Sequence, residues 1–266
     1  MRSFFKIFFA SLLALLVFVF VAIMIVVGIV ASARSGDKPD LGSKAVLILD
    51  LTKQYKEQKE ENEFNFIRGN SDQNVPGLYD VVRMIDYARS DSSVKGIYIK
   101  ADDNANGFAA SEEIRNALLD FKKSNKFIIG FGDVISQKAY YVASVADKLY
   151  CNPKGTVDWL GLETTLFFLK GALEKLEIEP QIFYAGKFKS ATEPLRAYQM
   201  TEPNKLQTSV YLNDLYSHIL LSAKEKSGLD TARLHELANT GAIQMASEAA
   251  RYKLIDGLRY DDEVKN

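Results

Sequence analysis

Hydrophobic positions divide the chain into two regimes. From Ile7 to Ala33 no residue carries a charge, and Phe, Leu, Val, Ile and Ala dominate, as in Leu15-Leu16-Val17-Phe18-Val19-Phe20-Val21. At ~1.5 Å per helical residue this run exceeds the roughly 20 residues that cross a bilayer. After Ala33 the pattern breaks into short segments. Gly36, Pro39 and Gly42 mark residues 34–43 as a linker. Ala45 to Leu51 is an apolar run of strand length, expected to be buried on both faces. Tyr55 to Asn65 is rich in Lys, Glu and Gln and reads as a solvated excursion.

From Pro76 onward strand and helix patterns alternate. Leu78, Val81, Val82, Ile85 and Ala88 fall at helical spacing, and Val94 to Ile99 follows as a strand. Ser111 with Glu112 and Glu113 predicts a helix start with acids in its first turn, and Ile114, Leu118 and Phe121 form its stripe. Phe127 to Phe131 reads as a strand, and a helix opens at Ser136 or Gln137 and runs through Ala146. Lys148 to Cys151 is a short strand ended by Asn152-Pro153; Leu166 to Leu176 is helical and Gln181 to Ala185 a strand. Thr201-Glu202-Pro203 starts a long helix whose stripe, Val210, Leu212, Leu215, Ile219 and Leu220, runs to a Gly228 stop. Asp230 to Ala238 and Ser247 to Tyr252 give two shorter helices, and Leu254 to Leu258 a turn leaving the domain. This order with short connections predicts an α/β fold, a mainly parallel sheet with flanking helices, over residues 44–266.

The apolar run has two readings. Ala31-Ser32-Ala33 resembles a signal-peptidase cleavage site, but signal h-regions span about 7–15 apolar residues. A retained signal-anchor helix over residues 1–33 is the expectation. Arg2 and Lys6 precede the run while Arg34, Lys38 and Lys44 follow it, so basic residues alone do not set the orientation. The short basic tail favours an N-in helix, with the bulk of the chain on the outer face of a cytoplasmic membrane. The remaining part, about 230 residues, suffices for one sizeable core or two small ones. A net charge of −1 with no basic block gives nucleic-acid binding no electrostatic support. Cys151 is the only cysteine, which excludes an intrachain disulfide, and it sits in an apolar run as a buried thiol. His218 and His235 fall in separate helical patterns, and no metal-site spacing occurs.

Candidate chemistry concentrates in Gly186-Lys187-Phe188-Lys189-Ser190-Ala191-Thr192-Glu193-Pro194, after the apolar Ile182-Phe183-Tyr184-Ala185. A lysine at a strand exit among small hydroxyl residues can act as a general base when burial favours its neutral amine. Phe183, Tyr184 and Phe188 are expected to supply that burial, and Ser190 or Thr192 to orient the amine. Lys187 alternates with Lys189 on one face of an extended segment and is the rival base. Glu193 either positions the lysine loop or makes a surface ion pair. Such a base needs a nucleophile, and the sequence offers no convincing one.

The lysine stretch resembles that of the signal peptide peptidase A (protease IV) family in its long membrane-anchored form. Gly132-Asp133, Tyr140-Tyr141-Val142-Ala143-Ser144, Ala146-Asp147-Lys148, Asn152-Pro153 and Asp256-Gly257-Leu258 extend the match over almost the whole chain. The resemblance implies a fold like the caseinolytic protease and crotonase superfamily. It also implies a serine–lysine dyad, without metal or cofactor, that degrades remnant signal peptides. In that family's long form one half supplies the lysine and the other the serine. This chain resembles the N-terminal half, with Lys189 carried over as the general base. The implied partners are the C-terminal half bearing the serine, signal-peptide substrates, the membrane and further copies in a homo-oligomer.

Two departures bear on the chemistry. In the serine-bearing half the nucleophile lies three residues before the Tyr-Tyr pair. Here that position is Gln137, followed by Lys138 and Ala139, and Ser136 is one residue early, where it reads as a helix cap. Asn104-Ala105-Asn106-Gly107-Phe108 stands where a Pro-Gly-Gly stretch for substrate contact is expected, and Asn106-Gly107 reads as a turn. A catalytically inert scaffold half-domain of a multimeric membrane assembly is the alternative function. An acyl-CoA-binding crotonase relative is a third reading, disfavoured by the anchor.

Overall fold

The structure, a computed structural model, describes residues 2–34, 42, 44–58 and 75–266. The chain separates into two compact units, residues 1–42 and 43–266. The first contains helix α1 (Arg2–Arg34), whose Ser3–Gly28 stretch is long and apolar enough to cross a membrane. The expected Lys-, Glu- and Gln-rich excursion lies partly outside the described residues.

The second unit is built on five strands in sequential order: β1 (Ala45–Asp50), β2 (Val94–Lys100), β3 (Phe127–Ile135), β4 (Lys148–Val157) and β5 (Gly257–Leu258). Every neighbouring pair is parallel, with Leu49 beside Ile99, Ile97 beside Ile128 and Gly130 beside Leu149. Helices α2 (Leu78–Ser90), α3 (Phe108–Lys122) and α4 (Gln137–Ala143) make the crossovers. Right-handed crossovers in a sequential order land on one face of the sheet, and α2 packs on α3 and α3 on α4. The expected stripes are the buried ones: Leu78, Val81, Ile85 and Ala88 on α2, and Ile114, Leu118 and Phe121 on α3. They close a single core over Leu49, Ile97, Ile99, Ile128 and Leu149. Each such side chain removed from water contributes about 1.5–3 kcal/mol.

Several expectations change. β1 alternates rather than being buried on both faces: Leu49 points into the core, while Val46 and Ile48 are exposed on the sheet edge. The parallel sheet is covered by helices on one face, and over Tyr98 the other face carries α10 (Asp261–Lys265), whose Asp261 accepts from the tyrosine hydroxyl at 2.5 Å. Helix α3 starts at Phe108, with Gly107 as its cap; Ser111 is buried inside it, its hydroxyl donating to the Gly107 carbonyl. Asn152-Pro153 does not end β4. The strand bulges there and resumes pairing, Thr156 beside Val134. Gly155 makes the bulge possible, because a Cβ at this position would lie 2.0 Å from the Asp133 carbonyl oxygen. Leu254 to Leu258 is not only a turn: Gly257–Leu258 adds the fifth strand beside Tyr150 and Cys151.

After β4 the chain leaves the sheet. Residues 158–169 have no regular structure and lead to α5 (Lys170–Lys175), shorter than the helix expected over Leu166–Leu176. Gln181 to Ala185 is not a strand; it has no regular structure and makes no ladder. A 3-10 turn (Ser190–Thr192) and α6 (Glu193–Arg196) bring the chain to α7 (Glu202–Ser227), then α8 (Thr231–Asn239) and α9 (Ala246–Arg251). Lys226 near the end of α7 pairs with Asp256 at 2.5 Å, and Asp256 also accepts from the Leu149 amide. This carboxylate ties α7, β4 and the approach to β5 together. We call residues 160–200 the arm.

Candidate active site

The arm is rooted in the core by Trp159. Its side chain is buried, meets Tyr140 edge-on at 5.7 Å and donates from Nε1 to the Leu234 carbonyl at 2.9 Å. Beyond it, apolar side chains face outward: Phe167 is 79% exposed and Phe183 92%. The arm folds back on itself through a bond from the Leu169 amide to the Pro194 carbonyl at 2.7 Å. Arg196 stacks over the Tyr184 ring at 4.0 Å, and Lys170 lies 4.6 Å from the centre of the Tyr198 ring.

Lys189 sits at the start of the 3-10 turn and its side chain is exposed. Among the described residues no hydrogen bond or ion pair reaches its amine. The expected apolar shell is not formed: Phe183, Tyr184 and Phe188 are all more than half exposed. Lys187 is also exposed and lies in a turn rather than in an extended segment, so the two lysines do not share a strand face. Thr192 does not turn to an amine; its hydroxyl accepts from Arg196 Nε at 3.1 Å. Next to the motif lies an open groove of about 760 Å³ lined by Leu162, Leu166, Ser190, Ala191, Pro194 and Tyr211, among others.

Glu193 resolves in favour of a positioning role. It is buried, and its carboxylate accepts from the Thr201 hydroxyl (2.5 Å), the Thr201 amide (3.1 Å) and Asn204 Nδ2 (2.7 Å), with Arg196 at 3.6 Å. Thr201 caps α7, its Oγ1 accepting from the Asn204 amide. The lysine loop is thus fastened to the first turn of the longest helix of this unit. Burial alone would raise the Glu193 carboxyl, but the donors from Thr201 and Asn204 outweigh it and hold the group below the usual glutamate range.

The position that the resemblance gives to a serine in the other half is filled by a structural amide. Gln137 opens α4, and its Oε1 accepts from the Leu160 and Gly161 amides at 2.9 and 3.2 Å. Ser136 is the cap of α4, accepting from the Ala139 amide at 3.2 Å. The nearby Ser136 hydroxyl, the Asn104 amide and Lys138 hold the Asp103 carboxyl below its ordinary value.

Asn104 and Asn106, expected in a degenerate substrate loop and a turn, are buried cross-links that the sequence did not announce. Asn106 Nδ2 donates to the Lys53 carbonyl and its Oδ1 accepts from the Tyr55 amide. Asn104 Nδ2 donates to Ser111 Oγ and to the Lys138 carbonyl. Polar residues flanking a glycine carry no mark that separates this from a solvated turn. Cys151 is buried as expected, and burial pushes its thiol up to about 12. His218 lies on the surface with Glu112 at 3.8 Å.

The sequence profile of peptidase family S49 matches residues 120–266, more than half of the chain, including the lysine motif. The chain is similar to the chloroplastic serine protease SPPA of Arabidopsis thaliana, 35% identical over 179 residues, covering 66% of this chain and 26% of that protein. It is similar also to Protease 4 of Haemophilus influenzae, 29% identical over 220 residues, covering 80% of this chain and 36% of the relative. A similar match to Protease 4 of Salmonella typhi has 28% identity over 200 residues, covering 71% and 32%. The chain thus spans about a quarter to a third of the length of these curated relatives.

Proposed function

We propose, from the premise that this chain belongs to peptidase family S49, that it is the lysine-bearing half of a membrane-anchored serine peptidase. One observation carries the reading: the lysine motif stands on an arm whose apolar side chains, Phe183 foremost, face outward and are left uncovered by the described residues. A second, serine-bearing half-domain laid against the arm would bury those rings and desolvate Lys189. It would also place a nucleophile beside an amine that has no partner among the described residues. The chain itself sits in the membrane through α1, with the second unit on the outer face.

The chemistry follows from those roles. The neutral Lys189 amine takes the proton of the partner's serine hydroxyl as its oxygen attacks the scissile carbonyl. The resulting ammonium gives that proton to the leaving amine as the peptide bond breaks, leaving an acyl-serine. Lys189 then takes a proton from water as the water oxygen attacks the acyl carbonyl, and returns that proton to the serine oxygen as the ester bond breaks, which regenerates the hydroxyl and the neutral amine. No metal or cofactor takes part in these steps. Remnant signal peptides, apolar and membrane-embedded, are the substrates that suit an anchored enzyme whose lysine motif adjoins a groove of mixed lining, with Leu162, Leu166, Leu212 and Leu215 beside Glu163, Gln207 and Thr208.

An inert scaffold half-domain of the same assembly is the second reading, favoured by the unpartnered Lys189 amine. Substitution separates the two. In the assembled membrane enzyme Lys189→Ala is expected to abolish peptide hydrolysis and Lys187→Ala to spare it. Full activity of Lys189→Ala sinks the lysine-base reading. Loss in Lys187→Ala alone moves the base by two residues.

A further inference from the structure

We propose that Gln137 is a positioning residue for Lys189: its carboxamide fixes the point and direction in which the arm leaves the core. The proposal rests on the reading of Lys189 as the base.

Sheet pairing of β4 ends at the Asp158 amide, which donates to the Ile135 carbonyl at 2.9 Å. Trp159 is the last buried side chain before the arm. The next two amides, Leu160 and Gly161, are both taken by the single Oε1 of Gln137, and Gln137 Nε2 returns to the Gly161 carbonyl at 3.3 Å. The three bonds hold both ends of one residue, so they restrain rotation as well as distance. Gly161 needs such a hold because its φ of +130° is a conformation in which glycine has wide freedom. Between Leu162 and Phe168 no backbone hydrogen bond is made among the described residues; the next is the Leu169 bond to Pro194. A rotation released at Gly161 is therefore carried along residues 162–168 to the Leu169 bond with Pro194, and so reaches the lysine loop from the core side, while Glu193 holds that loop from the α7 side.

The clamp also explains why this place cannot hold a nucleophile. A serine carries its oxygen on Cβ, whereas the oxygen that reaches Leu160 and Gly161 sits on Cδ. A residue at position 137 either spans the gap to the arm or presents a hydroxyl at the start of α4.

Gln137→Ala and Gln137→Glu test the proposal. Glutamate retains an acceptor for both amides and loses only the donor to Gly161. In the full chain, hydrogen exchange of the Leu160 and Gly161 amides is expected to quicken about tenfold or more in Gln137→Ala, the cost of removing two such bonds, with Ile128 and Leu149 unchanged. In the assembled membrane enzyme kcat should fall about tenfold or more while KM stays within about twofold, as misplacing a base requires, and Gln137→Glu should recover most of kcat. If Gln137→Ala disturbs the whole core, Gln137→Glu alone decides, by keeping both slow exchange and kcat. Unchanged exchange at the two amides overturns the clamp. Faster exchange with unaltered kcat overturns the positioning role. Full activity of Lys189→Ala removes the premise instead, and that result is read independently of exchange.

Discussion

The Glu193 network lends itself to a quantitative test. Replacing Glu193 by alanine leaves Asn204 Nδ2, the Thr201 amide and the Thr201 hydroxyl without their acceptor, and Asn204 is only 3% exposed. A buried polar group left unsatisfied costs about 1–3 kcal/mol, and breaking a buried charged network by removing one partner costs about 3–5 kcal/mol. We expect Glu193→Ala to lose about 3 kcal/mol, and Glu193→Gln, which keeps one acceptor oxygen, about half as much. The loss has a pH signature. The folded carboxyl is held below its unfolded value, so between the two the unfolded chain binds more protons and stability rises with pH. The contribution is fully present above the unfolded value, about 4.3, and is lost as pH falls through the lower, folded value. Urea unfolding of the detergent-solubilised chain, followed by the emission of Trp159, its only tryptophan, measures both effects. The gap between the native chain and Glu193→Gln should be widest near neutrality and narrow below about pH 4. A gap absent at pH 7, or constant down to pH 3, refutes the assignment of a buried, ionised anchor.

Three further outcomes are expected. A serine-directed fluorophosphonate should leave the isolated chain unlabelled, since Gln137 stands where the resemblance gives the other half its serine; labelling that vanishes in Ser136→Ala makes Ser136 the nucleophile. The mature protein should stay in the membrane fraction through high-salt and carbonate washes, because apolar burial is indifferent to ionic screening; an N-terminus at Arg34 would instead reveal cleavage after Ala33. A fragment without α1 should self-associate or bind a serine-bearing half-domain through the arm, by light scattering after size exclusion; a strict monomer that ignores the added half contradicts both functional readings.

Periodicity made the sheet and its crossover helices legible, because their stripes are buried by the chain's own core: Leu78, Val81 and Ile85 are the expected residues and the observed ones. It failed on the arm. Ile182 to Ala185 is as apolar as a buried strand, yet Phe183 to Ala185 are exposed, Ile182 is only half-buried, and the segment makes no ladder. A one-dimensional pattern records that a residue avoids water, not which chain shelters it. Pro153 misled in a different way, since a bulge accommodates it inside β4. Gln137, Glu193 and the Asn104–Asn106 pair each act through contacts distant in sequence, such as Asn106 with Tyr55, and no local spacing encodes them. Lys189 was legible only through the motif around it; its surroundings in this chain are those of a surface lysine.

The strand order carries a consequence for biogenesis. Each of β2, β3 and β4 docks beside the strand made just before it, with one crossover helix among the described residues of each connection. Nothing in that part of the sheet has to wait for a distant segment, so it can grow by accretion in the order of translation, one βαβ unit at a time. Only β5 breaks the rule: it reaches its place beside β4 after the arm and three helices have been synthesised. The nascent domain therefore spends its last stage as a nearly finished sheet with β4 open at its edge. The pairing of Lys226 with Asp256, which draws the end of α7 onto the approach to β5, completes it.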